Sequence, residues 1–280
     1  MSTSDPQNPN GAPTSVVFVH GMRNSGATWE SQVEHVRAAG HEAVAIDLPA
    51  HGSRRHDRFT MDGAFEALDD AVATLPSGPV AVVGLSLGGY TSLAWAARPG
   101  TSERLVGVVA AACTSDPKGK PLRLYRDVAR TVANTVYLSR RLTGRVVHPS
   151  YPPRLSMPSL RPSFGGPLGS APGGADLRQL EIAPSQAAER HRPAWDVVTD
   201  ALTDLIGRSS IANVRASRVP IWFINGARDR MRLEERKHLA AAREGSLVVI
   251  PNAGHDVNKE APTAFNRVLT RALADFGRRA

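Results

Sequence analysis

Val82-Val83-Gly84-Leu85-Ser86-Leu87-Gly88-Gly89-Tyr90 is the stretch whose reading decides the fold. The apolar run Val80 to Val83 predicts a buried strand, Gly84 is expected to break it, and Leu87 onward predicts a helix. Between strand and helix stands Ser86 in the pattern Gly-x-Ser-x-Gly. A strand–turn–helix of that kind forces its serine into a sharp turn, and small flanking residues let the two backbones pass. The turn lifts the hydroxyl clear of the sheet edge and aims the next backbone N–H, that of Leu87, at whatever the hydroxyl attacks. A Gly-Ser turn without chemistry shares the pattern, so the reading depends on a base, an acid and a second N–H donor at neighbouring strand ends.

Working outward, similar short apolar runs recur at 15–19, 42–46, 105–112, 219–224 and 247–250. Helical spacing separates them: Trp29, Val33 and Val36 predict a helix from Trp29 to Ala39, and Phe65, Leu68, Val72 and Leu75 mark the next. Phe65 precedes a stop at Pro76, and the last helix carries Phe265, Val268, Leu269, Ala272, Leu273 and Phe276. Strands apolar throughout, alternating with helices, predict a parallel sheet covered on both faces. The alternation stops at Cys113 and resumes near residue 195. In between lie an amphipathic helix, Pro121 to Leu142, and a long stretch rich in proline and glycine. A loop of that length in a compact protein is expected to be a lid, a binding loop or disordered.

In such a sheet, ligands sit at the carboxyl ends of the strands. His20-Gly21-Met22, Ser86, Asp229 and His255 each follow a predicted strand. An unassisted serine hydroxyl is a poor nucleophile at neutral pH; it needs a base in hydrogen-bond reach and a third group to orient that base. His255, preceded by Asn252-Ala253-Gly254, is the candidate base and Asp229 the candidate acid, with Asp116 as the alternative acid. The backbone N–H groups of Met22 and Leu87 are the candidate donors to a developing oxyanion. His20, Trp29, Tyr125 and Trp195 are the candidate substrate-contacting residues, and Tyr137, Tyr151, Met157 and Phe164 further candidate walls. His51, His56 and Asp57 have no recognisable metal-ligand spacing and are read as solvated loop residues.

These residues carry a resemblance. The chain order Ser86, Asp229, His255 is that of the α/β-hydrolase superfamily. The block His20-Gly21, Trp29, Gly40-His41 and Asp47-Leu48-Pro49-Ala50-His51-Gly52 resembles small esterases, methylesterases, lactonases and cofactor-free haloperoxidase-type enzymes. The resemblance spans roughly residues 15–112 and 195–277. It implies a doubly wound α/β fold with a mostly parallel sheet of six strands or slightly more and the strand before Ser86 central. A helical and loop cap, residues 113–194, is implied to interrupt the 15–112 and 195–280 core. It also implies that the Asp47–Gly52 loop packs beneath the site without a catalytic role. The activity implied is that of a serine hydrolase acting on a carboxylic ester, with thioester, lactone and carbon–carbon bonds as alternatives.

The chain carries 34 Lys and Arg against 26 Asp and Glu, a net charge of +8, but no run of five or six basic residues. A solvated basic surface is therefore expected, with no nucleic-acid partner. An acidic acyl-carrier protein would fit Arg123, Arg126 and Arg130 on the 121–142 helix. The single cysteine, Cys113, excludes an internal disulfide. Residues 1–14 are polar, with two prolines, and are expected to form a disordered tail rather than a leader or membrane span. A cytoplasmic monomer or homodimer without stable membrane association, acting on a small acyl substrate with no cofactor and no metal, is the resulting expectation.

Overall fold

The computed structural model describes residues 14–142 and 195–279. Six strands form one parallel sheet: β1 (Ser15–Val19), β2 (Ala43–Ile46), β3 (Val80–Leu85), β4 (Leu105–Ala111), β5 (Ile221–Gly226) and β6 (Gly245–Ile250). Their order is β2-β1-β3-β4-β5-β6, so the strand that precedes Ser86 is internal, between β1 and β4. Nine α-helices accompany the sheet among the described residues. They are α1 (Glu30–Ala38), α2 (Met61–Thr74), α3 (Leu87–Ala96), α4 (Leu122–Leu142), α5 (Trp195–Leu205), α6 (Ser210–Ala216), α7 (Glu235–Ala241), α8 (Val257–Glu260) and α9 (Pro262–Gly277).

Successive side chains of a strand point to opposite faces, and here both faces are covered. Val17, Val19, Val80, Val82, Val108, Ala110, Ile221 and Phe223 pack under α2, α3, α5, α6 and α7. Their alternates Val16, Phe18, Ala81, Val83, Val109, Ala111, Trp222 and Ile224 pack against α1, α8 and α9. The uninterrupted apolar strands are thus two interleaved half-cores, the arrangement expected from the sequence. On the second face, α9 places Phe265, Leu269, Ala272 and Phe276 against the sheet, and the Phe276 ring occupies the space that a side chain at Gly107 would need.

The register brings the chemistry-bearing strand ends to one edge. Val19 lies level with Gly84, Leu85 with Ala111, Ala111 with Ile224, and Gly226 with Ile250. The chain therefore leaves β1, β3, β5 and β6 at the same edge, and Gly21, Ser86, Asp229 and His255 emerge there.

Three expectations change. Gly84 does not break its strand; β3 continues through Leu85. A short helix the sequence reading lacked, α6, begins at Ser210, whose preceding residue Ser209 accepts the Ala212 N–H. It is seven residues long, too short for its apolar spacing to show against the polar residues around it. Finally, Thr14 is already buried rather than part of a tail. Of the expected cap, residues 113–142 are described, and the proline-rich stretch lies outside the described residues. No helix among the described residues is long and apolar enough to cross a membrane.

Candidate active site

The turn after β3 confirms that the serine is strained. Ser86 has φ 54° and ψ −115°, a conformation that L-residues rarely adopt. Two close approaches hold it. A Cβ at Gly84 would run into the Gly88 carbonyl and the Ser92 side chain; a Cβ at Gly88 would run into the carbonyls of Val19 and His20. The strand, the first turn of α3 and the loop after β1 are therefore locked together by missing side chains. The Ser86 N–H donates to the Ala111 carbonyl at 2.8 Å, anchoring the turn to β4.

His255 reaches this hydroxyl from the loop between β6 and α8. Its Nε2 lies 2.9 Å from Ser86 Oγ, and its Nδ1 lies 3.1 and 3.0 Å from the two carboxylate oxygens of Asp229. A carboxylate only accepts, so Nδ1 carries the proton and Nε2 is the acceptor for the serine hydroxyl. The Asp229 side chain is 2 % exposed, and its Oδ1 also accepts the Met231 N–H at 2.8 Å. The hydrogen bond to Asp229 raises the imidazole pKa above its ordinary value, against the opposing effect of partial burial. The loops carrying acid and base are joined directly: the Arg228 N–H donates to the Ala253 carbonyl at 2.8 Å.

Asp116, the alternative acid, is engaged elsewhere. It accepts from the Ser210 N–H at 2.9 Å and the Ser209 hydroxyl at 2.8 Å, so it secures the start of α6. Among the described residues it makes no hydrogen bond to His255.

On the opposite side of Ser86 lies the loop after β1. A Cβ at Gly21 would stand 3.4 Å from Ser86 Cβ and from the Leu85 carbonyl, so this loop flanks the hydroxyl. Among the described residues, neither Met22 N–H nor Leu87 N–H has a hydrogen-bond partner. Leu87 opens α3, whose first-turn N–H groups and dipole favour negative charge at that point. Two buried histidines brace the Met22 loop. His20 Nε2 accepts the Leu48 N–H at 3.0 Å while Nδ1 faces the Gly21 carbonyl at 2.7 Å. His51 Nε2 accepts the Arg23 N–H at 3.0 Å while Nδ1 faces the Pro49 carbonyl at 2.8 Å. In each ring the nitrogen that accepts must be bare, so both are neutral with the proton on Nδ1. Burial lowers the pKa of both, that of His51 to about 3, and the rings lie 4.8 Å apart.

Of the expected substrate contacts, the structure places two in the protein interior. His20 is fully buried and turned to the loop backbone. Trp29 is fully buried in the core against Phe18 and Phe265, on the α1/α9 face of the sheet. Tyr125 lies on α4 and is 54 % exposed. Trp195 opens α5, and its side chain lies outside the described residues, as do Tyr137's side chain, Tyr151, Met157 and Phe164. His51, read as a solvated loop residue, is a buried brace instead. The signal available was its setting in Leu48-Pro49-Ala50-His51-Gly52, an apolar turn that needs positive φ at Ala50 and Gly52. His56 and Asp57 are exposed as expected. Among the described residues, no group of three or more His, Cys, Asp or Glu side chains is placed to hold a metal.

An open parallel sheet with a strained Gly-x-Ser-x-Gly turn at its carboxyl edge, and a histidine–carboxylate pair upon that serine, defines the hydrolase class of α/β folds. The sequence model of the alpha/beta hydrolase family matches residues 16–268, and the chain belongs to that family. It is 34 % identical over 93 residues to esterase Rv0045c of Mycobacterium tuberculosis, a match covering 31 % of this chain and 29 % of that protein. The chain thus spans less than a third of the length of that curated relative. Solved structures match over almost the whole chain: a bromoperoxidase from Bacillus anthracis has a TM-score of 0.65 at 16 % identity, covering 95 % of this chain and 93 % of that one. The enol-lactonase from Burkholderia xenovorans has a TM-score of 0.62 at 16 % identity, covering 94 % and 92 %. At that identity the likeness concerns the fold.

Proposed function

We propose that this chain is a serine hydrolase that cleaves a carboxylic ester through an acyl-enzyme on Ser86. The observation that carries the reading is the continuous line of bonds from Asp229 to His255 to Ser86. The named esterase relative supports it.

In this mechanism His255 Nε2 takes the hydroxyl proton as Ser86 Oγ bonds to the ester carbonyl carbon. The carbonyl oxygen becomes an oxyanion facing the N–H groups of Met22 and Leu87. One such donor typically contributes about 10²–10³ in rate. Asp229 holds the imidazole in the Nδ1–H tautomer and stabilises the imidazolium. Collapse of the adduct breaks the bond to the alcohol oxygen, which leaves with the proton from His255. Water then attacks the acyl-enzyme, giving its proton to the same nitrogen, and the second adduct expels Ser86 and releases the acid. Every proton moves through one nitrogen, and no cofactor enters the balance.

Replacing Ser86 by Ala is expected to abolish turnover of short p-nitrophenyl esters and covalent labelling by a fluorophosphonate. Turnover persisting in purified S86A protein at the wild-type rate refutes the proposal.

A further inference from the structure

His255 stands in an irregular loop between β6 and α8. Its loop turns at Asn252, which has φ 61°, and enters α8 through Asp256. Asp256 stands at the helix N-cap, where a side-chain oxygen ordinarily accepts an orphan N–H, yet it makes no such bond. Glu260 supplies one from the other end of the short helix. Its Oε2 accepts the Gly254 N–H at 2.8 Å and its Oε1 accepts the Asp256 N–H at 3.2 Å. Its own N–H donates to the Asp256 carbonyl at 2.9 Å, closing the loop into a ring. The two residues whose N–H groups it takes are the immediate neighbours of His255. Across the same loop, the Arg228 N–H holds the Ala253 carbonyl and the Arg228 guanidinium holds Asn252 Oδ1 at 3.1 Å. His255 is thus gripped from the Asp229 side by Arg228 and from the helix side by Glu260.

We propose that Glu260 is the positioning residue for the base: its carboxylate clamps the backbone on both sides of His255 and fixes the reach of the imidazole to Ser86. The proposal rests on the ester-hydrolase reading above. Glu260 makes no hydrogen bond to His255 or Ser86 side chains among the described residues, so it acts through the main chain and through its charge. The charged groups acting on the imidazole are Asp229 from the loop after β5, and Asp256 and Glu260 from its own loop and helix; all three favour the protonated ring, Asp229 most.

The test compares full-length wild type, S86A, E260A and E260Q by kcat, KM, the pH profile of kcat/KM and thermal unfolding. Misplacing a catalytic group by about 1 Å can cost about 10²-fold. E260A is therefore expected to lose about 10- to 100-fold in kcat with KM unchanged. Removing the negative charge also moves the acid limb of kcat/KM to lower pH, because Glu260 is one of the charges that favour the protonated imidazole. E260Q keeps one of the two acceptor oxygens and loses the charge, so it is expected to hold only one of the two neighbours of His255, to fall between E260A and wild type in kcat, and to keep the shifted limb. Should E260A fail to fold, E260Q decides through kcat, since it loses one of the two clamp hydrogen bonds: a reduced kcat at unchanged KM supports the proposal and a wild-type kcat overturns it. Wild-type kcat and limb in folded E260A overturn the role of Glu260 alone, provided turnover depends on Ser86. Turnover independent of Ser86 overturns the ester-hydrolase reading, and this proposal with it.

Discussion

Ser86 is held at a φ of 54°, a conformation that costs about 1–3 kcal/mol and persists only where neighbours over-determine it. What that strain secures is a hydroxyl at 2.9 Å from a single imidazole nitrogen, with no partner among the described residues for the N–H of the next residue. Two carboxylates are candidates for the acid, and their hydrogen bonds differ. Asp229 faces both its oxygens to His255 Nδ1, whereas Asp116 spends its oxygens on the start of α6. Replacing Asp229 by Asn is expected to lower kcat by about 10⁴-fold, because an amide can force the wrong imidazole tautomer. D116N is expected to leave kcat unchanged and to lower the midpoint of thermal unfolding. Steady-state kinetics and a melting curve on both variants check the contrast, and the reverse pattern would assign the acid to Asp116. Ser86, Asp229 and His255 were legible from residue type and strand-end position. Glu260 was not, because a glutamate at the exposed end of a four-residue helix carries no local mark of the two backbone N–H groups it accepts.

Among the elements, β3 and α3 meet at a close crossing beside the site. Gly84 is the residue that permits it, and the sequence reading of that glycine as a strand end was incorrect. It keeps strand geometry and simply has no side chain to collide with Gly88 and Ser92. Gly84→Ala is therefore expected to destabilise the protein by about 2–3 kcal/mol, as overpacking does. Its fluorophosphonate labelling of Ser86 should slow at the same time; a urea midpoint equal to that of wild type sinks this account. The loop after β1 is an element with no regular structure, and its shape comes from His20 and His51. Each neutral ring trades one accepted and one donated backbone hydrogen bond. That pairing joins segments 28 residues apart in the chain, which is why a local reading assigned His51 to solvent.

For the molecule as a whole, α1, α8 and α9 cover one face of the sheet, and Phe276 of α9 is seated closely upon it. Its ring lies over Gly107 and is fully buried. Phe276→Ala is expected to cost about 3–5 kcal/mol, part of it from the cavity left behind. Denaturant unfolding measures the loss, while KM for p-nitrophenyl esters should stay at its wild-type value, since α9 covers the face away from α3. At this scale the two half-cores were readable in advance, because strands apolar at every position can only be buried on both sides. The number of strands, their parallel direction and the edge that gathers the reactive residues follow from that same local pattern. The family resemblance had placed β3 in the interior of the sheet. Tertiary structure alone decided the rest. It set Asp229 against His255 and Asp116 against the start of α6, buried Trp29 in the core and His20 against the loop backbone, left Tyr125 exposed on α4, and placed Glu260 on the backbone either side of His255. Each of those outcomes depends on which atoms from distant parts of the chain come within about 3 Å, the range of a hydrogen bond. Periodicity and residue type report only which way a side chain points from its own element; the partner across the gap is supplied by the register of the sheet and the packing of the helices upon it.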